Sequence, residues 1–221
     1  MRTPDATAAA VPDVPDVPAV APDGRDLVGP VVELRTLTAE DAPALFRALD
    51  DARVWAGGYG GGPAGRPPNV GGAQRWIERL LAVPGLVPYA VRTATDSEIG
   101  PAGTLVGTSS LGDVDLVNRR LHLGWTAYTP AAWAGLVNPA TKLLLLTHAF
   151  EDCRFHRVKI QTDAINLRSQ AAIARLGAVR EGVLRQHVRR ADGTWRDTVV
   201  YSILADEWPR VRARLEARIE A

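Results

Sequence analysis

Apolar and polar residues alternate in VVELRTL (Val31–Leu37), which predicts a strand with one buried face. Thr38 with Asp41 three residues on forms a capping pair, and a helix follows to about Arg53. A glycine-proline loop, GGYGGGPAGRPPN (Gly57–Asn69), separates it from a second helix over about 73–82. Three strand patterns come next, VPYAVRTAT, GTLVGTSSL and RLHLGWTAY, divided by turns that carry Asp96, Gly100 and Asn118. A long helix is predicted over about 138–152, with Asn138 as N-cap and Pro139 at the first helical position. RVKIQTD (Arg157–Asp163) reads as a strand. NLRSQAAIARLG reads as a helix capped by Asn166 and stopped by Gly177. Strands over about 178–190 and 195–204 flank the turn ADG, and an amphipathic helix ends the chain. This order predicts an α/β (α+β) fold, a mixed sheet with helices on both faces.

Upstream of Val31 no period survives. Proline and aspartate break the apolar residues of 1–29 into runs of at most four, as in AAAVPDVPDVP, so residues 1–29 are expected to be a disordered tail and 30–221 the folded domain. The same interruptions exclude a signal peptide's apolar stretch, and no run reaches the roughly 18 residues of a membrane span.

Composition narrows the class. Lys plus Arg is 26 against Asp plus Glu 25, a net charge of +1, so nothing points to nucleic acid or to an anionic membrane. Cys153 is the single cysteine. It has no disulfide partner and no companion ligands, so a reducing cytoplasmic setting and no metal site are expected.

Several motifs carry no chemistry. Gly60, Gly62 and Gly65 match G-x-G-x-x-G, but Pro63, Pro67 and Pro68 crowd the site and a helix precedes it, where dinucleotide binding needs a strand. P-loop and G-x-S-x-G signatures are absent. The informative feature is Lys142, a cation placed by this reading in the first turn of its helix, where the macrodipole disfavours it. A helix start that follows a strand, with Gly135 allowing close approach and Lys142 adding charge, suits a phosphate or pyrophosphate.

With that order of elements, the stretches LHLGWT, VNPATKLLLLTHAFE, TDAINLRSQAAIARLGAVREGVLR and DTVVYSIL resemble the GNAT superfamily of acyl-CoA-dependent N-acyltransferases. Within it they are similar to the branch of the ribosomal-protein N-terminal acetyltransferases. The resemblance spans about Val31 to Leu215. It implies a mostly antiparallel sheet splayed between its fourth and fifth strands, with acetyl-CoA as co-substrate in the splay. Its pyrophosphate would lie on the next helix start, formed by Gly135, Leu136, Val137, Asn138 and Lys142. Trp133, Leu136 and Asn138 replace the family's usual loop residues. Asn166 matches the family asparagine that reaches the pantetheine arm, and is also a plain N-cap. Ser169 matches a serine near the departing thiolate, and is also an ordinary helical serine.

The resemblance places His122 where many members carry a glutamate base. Simple alternation puts Leu121, Leu123 and Trp125 on one face, with His122 and Gly124 on the other. An imidazole with pKa near 6.5 suits removal of an ammonium proton. His187 is a second candidate, while His148 and His156 read as structural or exposed. Ile173 stands where the family's general-acid tyrosine would be, leaving Ser169 or water. Backbone N–H groups near Gly124–Thr126, including those of Trp125 and Thr126, would meet the developing oxyanion. The implied activity is acetyl transfer to a primary amine, either a protein N-terminus or a small molecule, by a monomer or homodimer. A non-catalytic acyl-CoA-binding module remains the rival reading.

Overall fold

The computed structural model describes residues 17–220. In chain order the elements are β1 (Leu27–Val28), β2 (Val32–Thr36), α1 (Ala42–Leu49), α2 (Ala52–Ala56), α3 (Val70–Leu81), β3 (Val87–Thr93), β4 (Leu105–Asp115) and β5 (Arg120–Tyr128). Then follow α4 (Val137–Thr147), β6 (Arg157–Asp163), α5 (Leu167–Leu176), β7 (Val179–Arg189), β8 (Trp195–Leu204) and α6 (Trp208–Glu220). One sheet runs β1-β2-β3-β4-β5-β6-β8-β7. Every pairing is antiparallel except β5–β6.

The sheet buries both faces over its middle. Leu121 and Leu123 of β5, Val158 and Ile160 of β6 and Val199, Tyr201 and Ile203 of β8 pack under Leu145 and Leu146 of α4 and Val211 and Leu215 of α6. Each such leucine contributes about 1.5–3 kcal/mol by leaving water. On the other face α1 and α3 cover the sheet through Leu45, Leu49, Trp76, Ile77 and Leu80, against Ala90, Leu105 and Ala127. Around β6 and β8 that second face turns polar, with Lys159, Gln161 and Asp163 opposite Ser202, Val200 and Thr198.

The capping pair is present, with the Asp41 carboxylate accepting from the Thr38 amide at 2.9 Å. The helix it opens ends at Leu49, and Asp51 then caps the short α2 by accepting from the Arg53 amide at 2.8 Å. Residues 1–16 lie outside the described residues. From Ala19 onward the expected tail is folded onto the domain: Ala19 is buried, and the Val20 amide donates to the Cys153 carbonyl at 3.0 Å. Thr36 Oγ1 donates to the Gly24 carbonyl at 2.6 Å, and Leu27–Val28 pairs with β2. Composition missed this because few residues make the contacts and backbone groups carry most of them. His148 is buried in the core, with Nδ1 2.8 Å from Asp152 Oδ2, and His156 is exposed. Among the described residues no helix is long and apolar enough to cross a membrane.

Candidate acyl-transfer site

β5 and β6 form a wedge. They pair only over Arg120–His122 and Arg157–Lys159. Beyond that point β5 continues to Tyr128 and β6 to Asp163 with no ladder between them. On its other side β5 carries a bulge: Ser110 pairs with Gly124 and Thr108 with Ala127, so Trp125 and Thr126 together face Ser109. Trp125 has φ +47°, an irregularity that bends the strand just beyond the end of its ladder with β6. The backbone at 124–126 therefore lines the open side of the wedge without a partner strand on β6.

The bulge also changes which face Trp125 occupies. It shifts the phase of the alternation by one, so Trp125 sits with His122, ring centroids 4.8 Å apart, rather than with Leu121 and Leu123. Thr126 consequently points to the α4 side, where its hydroxyl lies 2.7 Å from Ser109 Oγ.

Lys142 is not at the helix start. α4 begins at Val137, with Leu136 as N-cap and Asn138 and Pro139 at its second and third positions. Proline is accepted there because the first-turn N–H groups have no intrahelical partner. This puts Lys142 in the second turn, facing the sheet. It is 5% exposed, and Nζ donates to Thr126 Oγ1 at 2.8 Å and Ser109 Oγ at 3.2 Å. Burial pushes its ammonium down to about 7. The expected contact with a phosphate is thereby replaced by a strut from α4 to the bulge.

The start of α4 remains suited to an anion without it. No side chain caps the helix, and Gly135 and Leu136 are exposed. Ala134 holds φ +63°, an unfavoured conformation for a residue with a Cβ. The amides of Val137 and Asn138 are free of intrahelical bonds by position. An acyl-CoA pyrophosphate fits this uncapped, electropositive end, beside the mouth of the wedge.

α5 starts on the opposite lip. Asn166 is its N-cap, with Oδ1 accepting from the Ser169 amide at 3.0 Å. Gly57 lies against the Asn166 side chain so closely that a Cβ there would come within 2.6 Å of Nδ2. Ser169 is half-buried, next to this cap. Arg168 crosses the mouth and covers Trp133, its guanidinium carbon 3.3 Å from the ring centroid. Trp133 Nε1 donates to the Tyr128 carbonyl at 3.1 Å.

His122 lies at the apex of the wedge, on the polar face. It is 5% exposed, and Nε2 is buried without a partner. Burial foremost, then the charges of Lys159, Lys142 and Arg196, push its imidazole down to about 3, with Asp113 opposing. That is far from the value near 6.5 expected of a base at neutral pH. His187 is on β7, Nδ1 3.1 Å from Thr198 Oγ1, and exposed.

The glycine-rich loop roofs this face. Tyr59 Oη donates to the Trp125 carbonyl at 3.3 Å, and the Ala191 amide to the Gly61 carbonyl at 3.1 Å. Gly58, at φ +85°, leaves no room for a Cβ beside the Asp163 carboxylate. Asp163 is 2% exposed and paired with Arg190, Nε–Oδ2 and Nη2–Oδ1 both 2.9 Å. The sequence reading missed Arg168, Asp163, Arg190 and Arg196. The only local signal was their position flanking the predicted turn and helix start.

The sequence profile described as "Acetyltransferase (GNAT) domain" matches residues 32–179. A Bacillus subtilis protein named "Putative ribosomal N-acetyltransferase YdaF" is 34% identical over 106 residues, 48% of this chain. That match spans only a little over half, 57%, of the relative's length. The crystal structure of a "putative acetyltransferase" from T. thermophilus is 37% identical, with TM-score 0.77, covering 88% of this chain and 97% of that one. Mycobacterium smegmatis RimJ in complex with CoA-disulfide is 25% identical, with TM-score 0.69, covering 87% and 92%. The wedge between two parallel neighbours, the bulge and the uncapped helix thus sit in a chain that belongs to the GNAT acetyltransferase family.

Proposed function

We propose that the protein moves an acetyl group from acetyl-CoA to a primary amine, by direct attack of the amine while both substrates are bound. The observation that carries this reading is the early end of the β5–β6 ladder at His122 and Lys159, with the bulged backbone of 124–126 facing the gap. Bound acetyl-CoA would supply the thioester as an acyl donor. On the protein side, the amides of Gly135, Leu136, Val137 and Asn138 would hold its pyrophosphate and Asn166 its pantetheine arm. As the C–N bond forms and the C–S bond breaks, the proton the amine gives up would reach the departing thiolate through Ser169 or water. Backbone N–H groups of Trp125 and Thr126 would stabilise the oxyanion that develops on the acetyl carbonyl.

With its proton on Nδ1, His122 serves as a hydrogen-bond acceptor for the incoming amine, or for a water on it, through the unpartnered Nε2. An imidazole held at about 3 takes no proton from an ammonium, so the amine arrives neutral. That selects acceptors. At pH 7 about one α-amine in ten is neutral, against about one lysine side chain in a few thousand. A protein N-terminal α-amino group is therefore favoured, in keeping with the "ribosomal N-acetyltransferase" name of the Bacillus relative.

The test is CoA release from acetyl-CoA with peptides bearing a free N-terminus, the same peptides blocked at the N-terminus, and small amines. Release with free α-amino groups, and none with blocked peptides, is expected. Binding of acetyl-CoA with no release across the panel would mean a non-catalytic acyl-CoA-binding module.

A further inference from the structure

Arg196 is the cation that the polar face leaves unmatched. It lies on β8 opposite Val188, two residues from Thr198 and so on the same side of the strand. Thr198 in turn pairs with Asp163 at the end of β6. The other cations of this face have carboxylates. Lys159 is bonded to Asp113, and Arg190 holds both oxygens of Asp163. Among the described residues Arg196 makes no side-chain hydrogen bond and no ion pair, and its Nε is fully buried without a partner. The register sets it on the Asp163 side of the sheet, and its charge acts on both Asp163 and His122. Desolvation lowers its pKa, with Asp163 opposing.

An unpaired, half-buried guanidinium costs stability unless something completes it. Its planar fork is matched by a carboxylate, which takes two parallel hydrogen bonds. Asp163 bonds Arg190 through both oxygens and also accepts from the Ile165 amide, and it makes no bond to Arg196. We infer that Arg196 binds an anionic group of the acceptor, so that the preferred amine carries a carboxylate close to the reacting nitrogen. This rests on the acetyl-transfer reading above and specifies its substrate class. The carboxylate has two sources: an acidic side chain in the first residues of a protein, or the α-carboxylate of a free amino acid.

The experiment measures kcat/KM for CoA release with full-length protein. One arm uses free-N-terminus peptides that differ only in Asp or Asn at the second residue; the other uses a free amino acid and its amide. Wild type is expected to prefer the anionic member of one pair by about tenfold to a hundredfold, the range of a charge-assisted hydrogen bond. Which pair shows the preference identifies the source. Arg196→Gln should collapse that ratio toward one, and Arg196→Lys, which keeps the charge but not the fork, should leave it intermediate. Rising salt should shrink the wild-type ratio as well, a readout that needs no variant to fold. Equal rates on both members in wild type, or an Arg196→Gln ratio as large as wild type's, overturn the inference while leaving acetyl transfer standing. Absence of CoA release with every acceptor overturns both.

Discussion

Arg168 covers Trp133, guanidinium carbon 3.3 Å from the indole centroid, and thereby ties the start of α5 to the loop before α4. These are the two lips of the wedge between β5 and β6. Anything that enters the wedge from that end has to slide or part this stack. A cation–π contact of this kind is worth roughly 0.5–2 kcal/mol. Arg168→Ala should therefore speed acetyl-CoA association several-fold, read by stopped-flow tryptophan fluorescence. Slower association would mean instead that the guanidinium recruits the ligand's phosphates.

The start of α4 can be tested with opposing readouts. Asn138→Asp adds a negative charge to the first turn at nearly constant shape. Helix-dipole interaction should stabilise the free protein by about 0.3–1 kcal/mol. The same charge should repel an anion held by the amides of 135–138 and weaken acetyl-CoA binding by about tenfold at low salt. A melting temperature that rises while affinity falls is the expected pair. Affinity equal to wild type would place the pyrophosphate elsewhere.

Residues 19–28 supply a third prediction. The composition of 1–29 alone implies that removing residues 1–27 changes nothing. The Val20–Cys153 bond, buried Ala19 and the pairing of Leu27–Val28 with β2 reverse that expectation. Deletion of 1–27 should cost about 1–3 kcal/mol, a melting-temperature drop of several degrees in a chain of this size. An unchanged melting temperature would show these contacts to be energetically silent.

How far the sequence carries depends on what each feature needs. The strand and helix periods around Val32–Thr36, Arg157–Asp163 and Leu167–Leu176 are local and strong, so the order of elements was legible. The Asn166 cap was legible too, because its bond spans three residues. The face of Trp125 was not: a single inserted residue at the bulge shifts the alternation, and no residue type announces it. Lys142 was misplaced because helix starts are read to within a residue or two, and one residue decides whether a side chain meets solvent or sheet. Asp163 and Arg190 are 27 residues apart, and only the folded β6–β8–β7 ribbon joins them.

Lys142 gives a pH signature of stability. Its folded pKa, about 7, lies below the value near 10.4 of an unfolded lysine. Between those values the unfolded chain binds the extra proton, so stability rises with pH from about 7 to about 10. Below pH 7 the native state carries a buried charge held only by two hydroxyls, Ser109 and Thr126, which also bond each other. Lys142→Met keeps the length and removes the charge. It should raise stability at pH 6 by roughly 2–4 kcal/mol and much less at pH 10, in denaturant titrations at the two pH values. A loss of stability at pH 6 would mean that the strut outweighs the cost of burying its charge.

The pH dependence of the reaction separates the roles left to His122. With its imidazole at about 3, the histidine stays neutral across the working range, and its protonation affects only stability. The folded value lies below the unfolded 6.5, so the stability tied to neutral His122 is lost as pH falls from 6.5 toward 3. The acidic limb of kcat/KM must then come from another group. If the amine has to arrive neutral, that limb follows the acceptor: two peptides whose α-amines differ by about one pKa unit should give limbs about one unit apart. A limb fixed near 7 for every acceptor would point to Lys142, the other group of the wedge held in that range. His122→Ala removes Nε2 and should lower kcat by about tenfold, less than the roughly 10²–10⁴-fold contributed by a group that itself takes the proton. The limb should stay where it was, because His122 does not titrate there. A limb that vanishes or moves in the variant would restore the histidine as the titrating base and show that bound substrates raise its pKa.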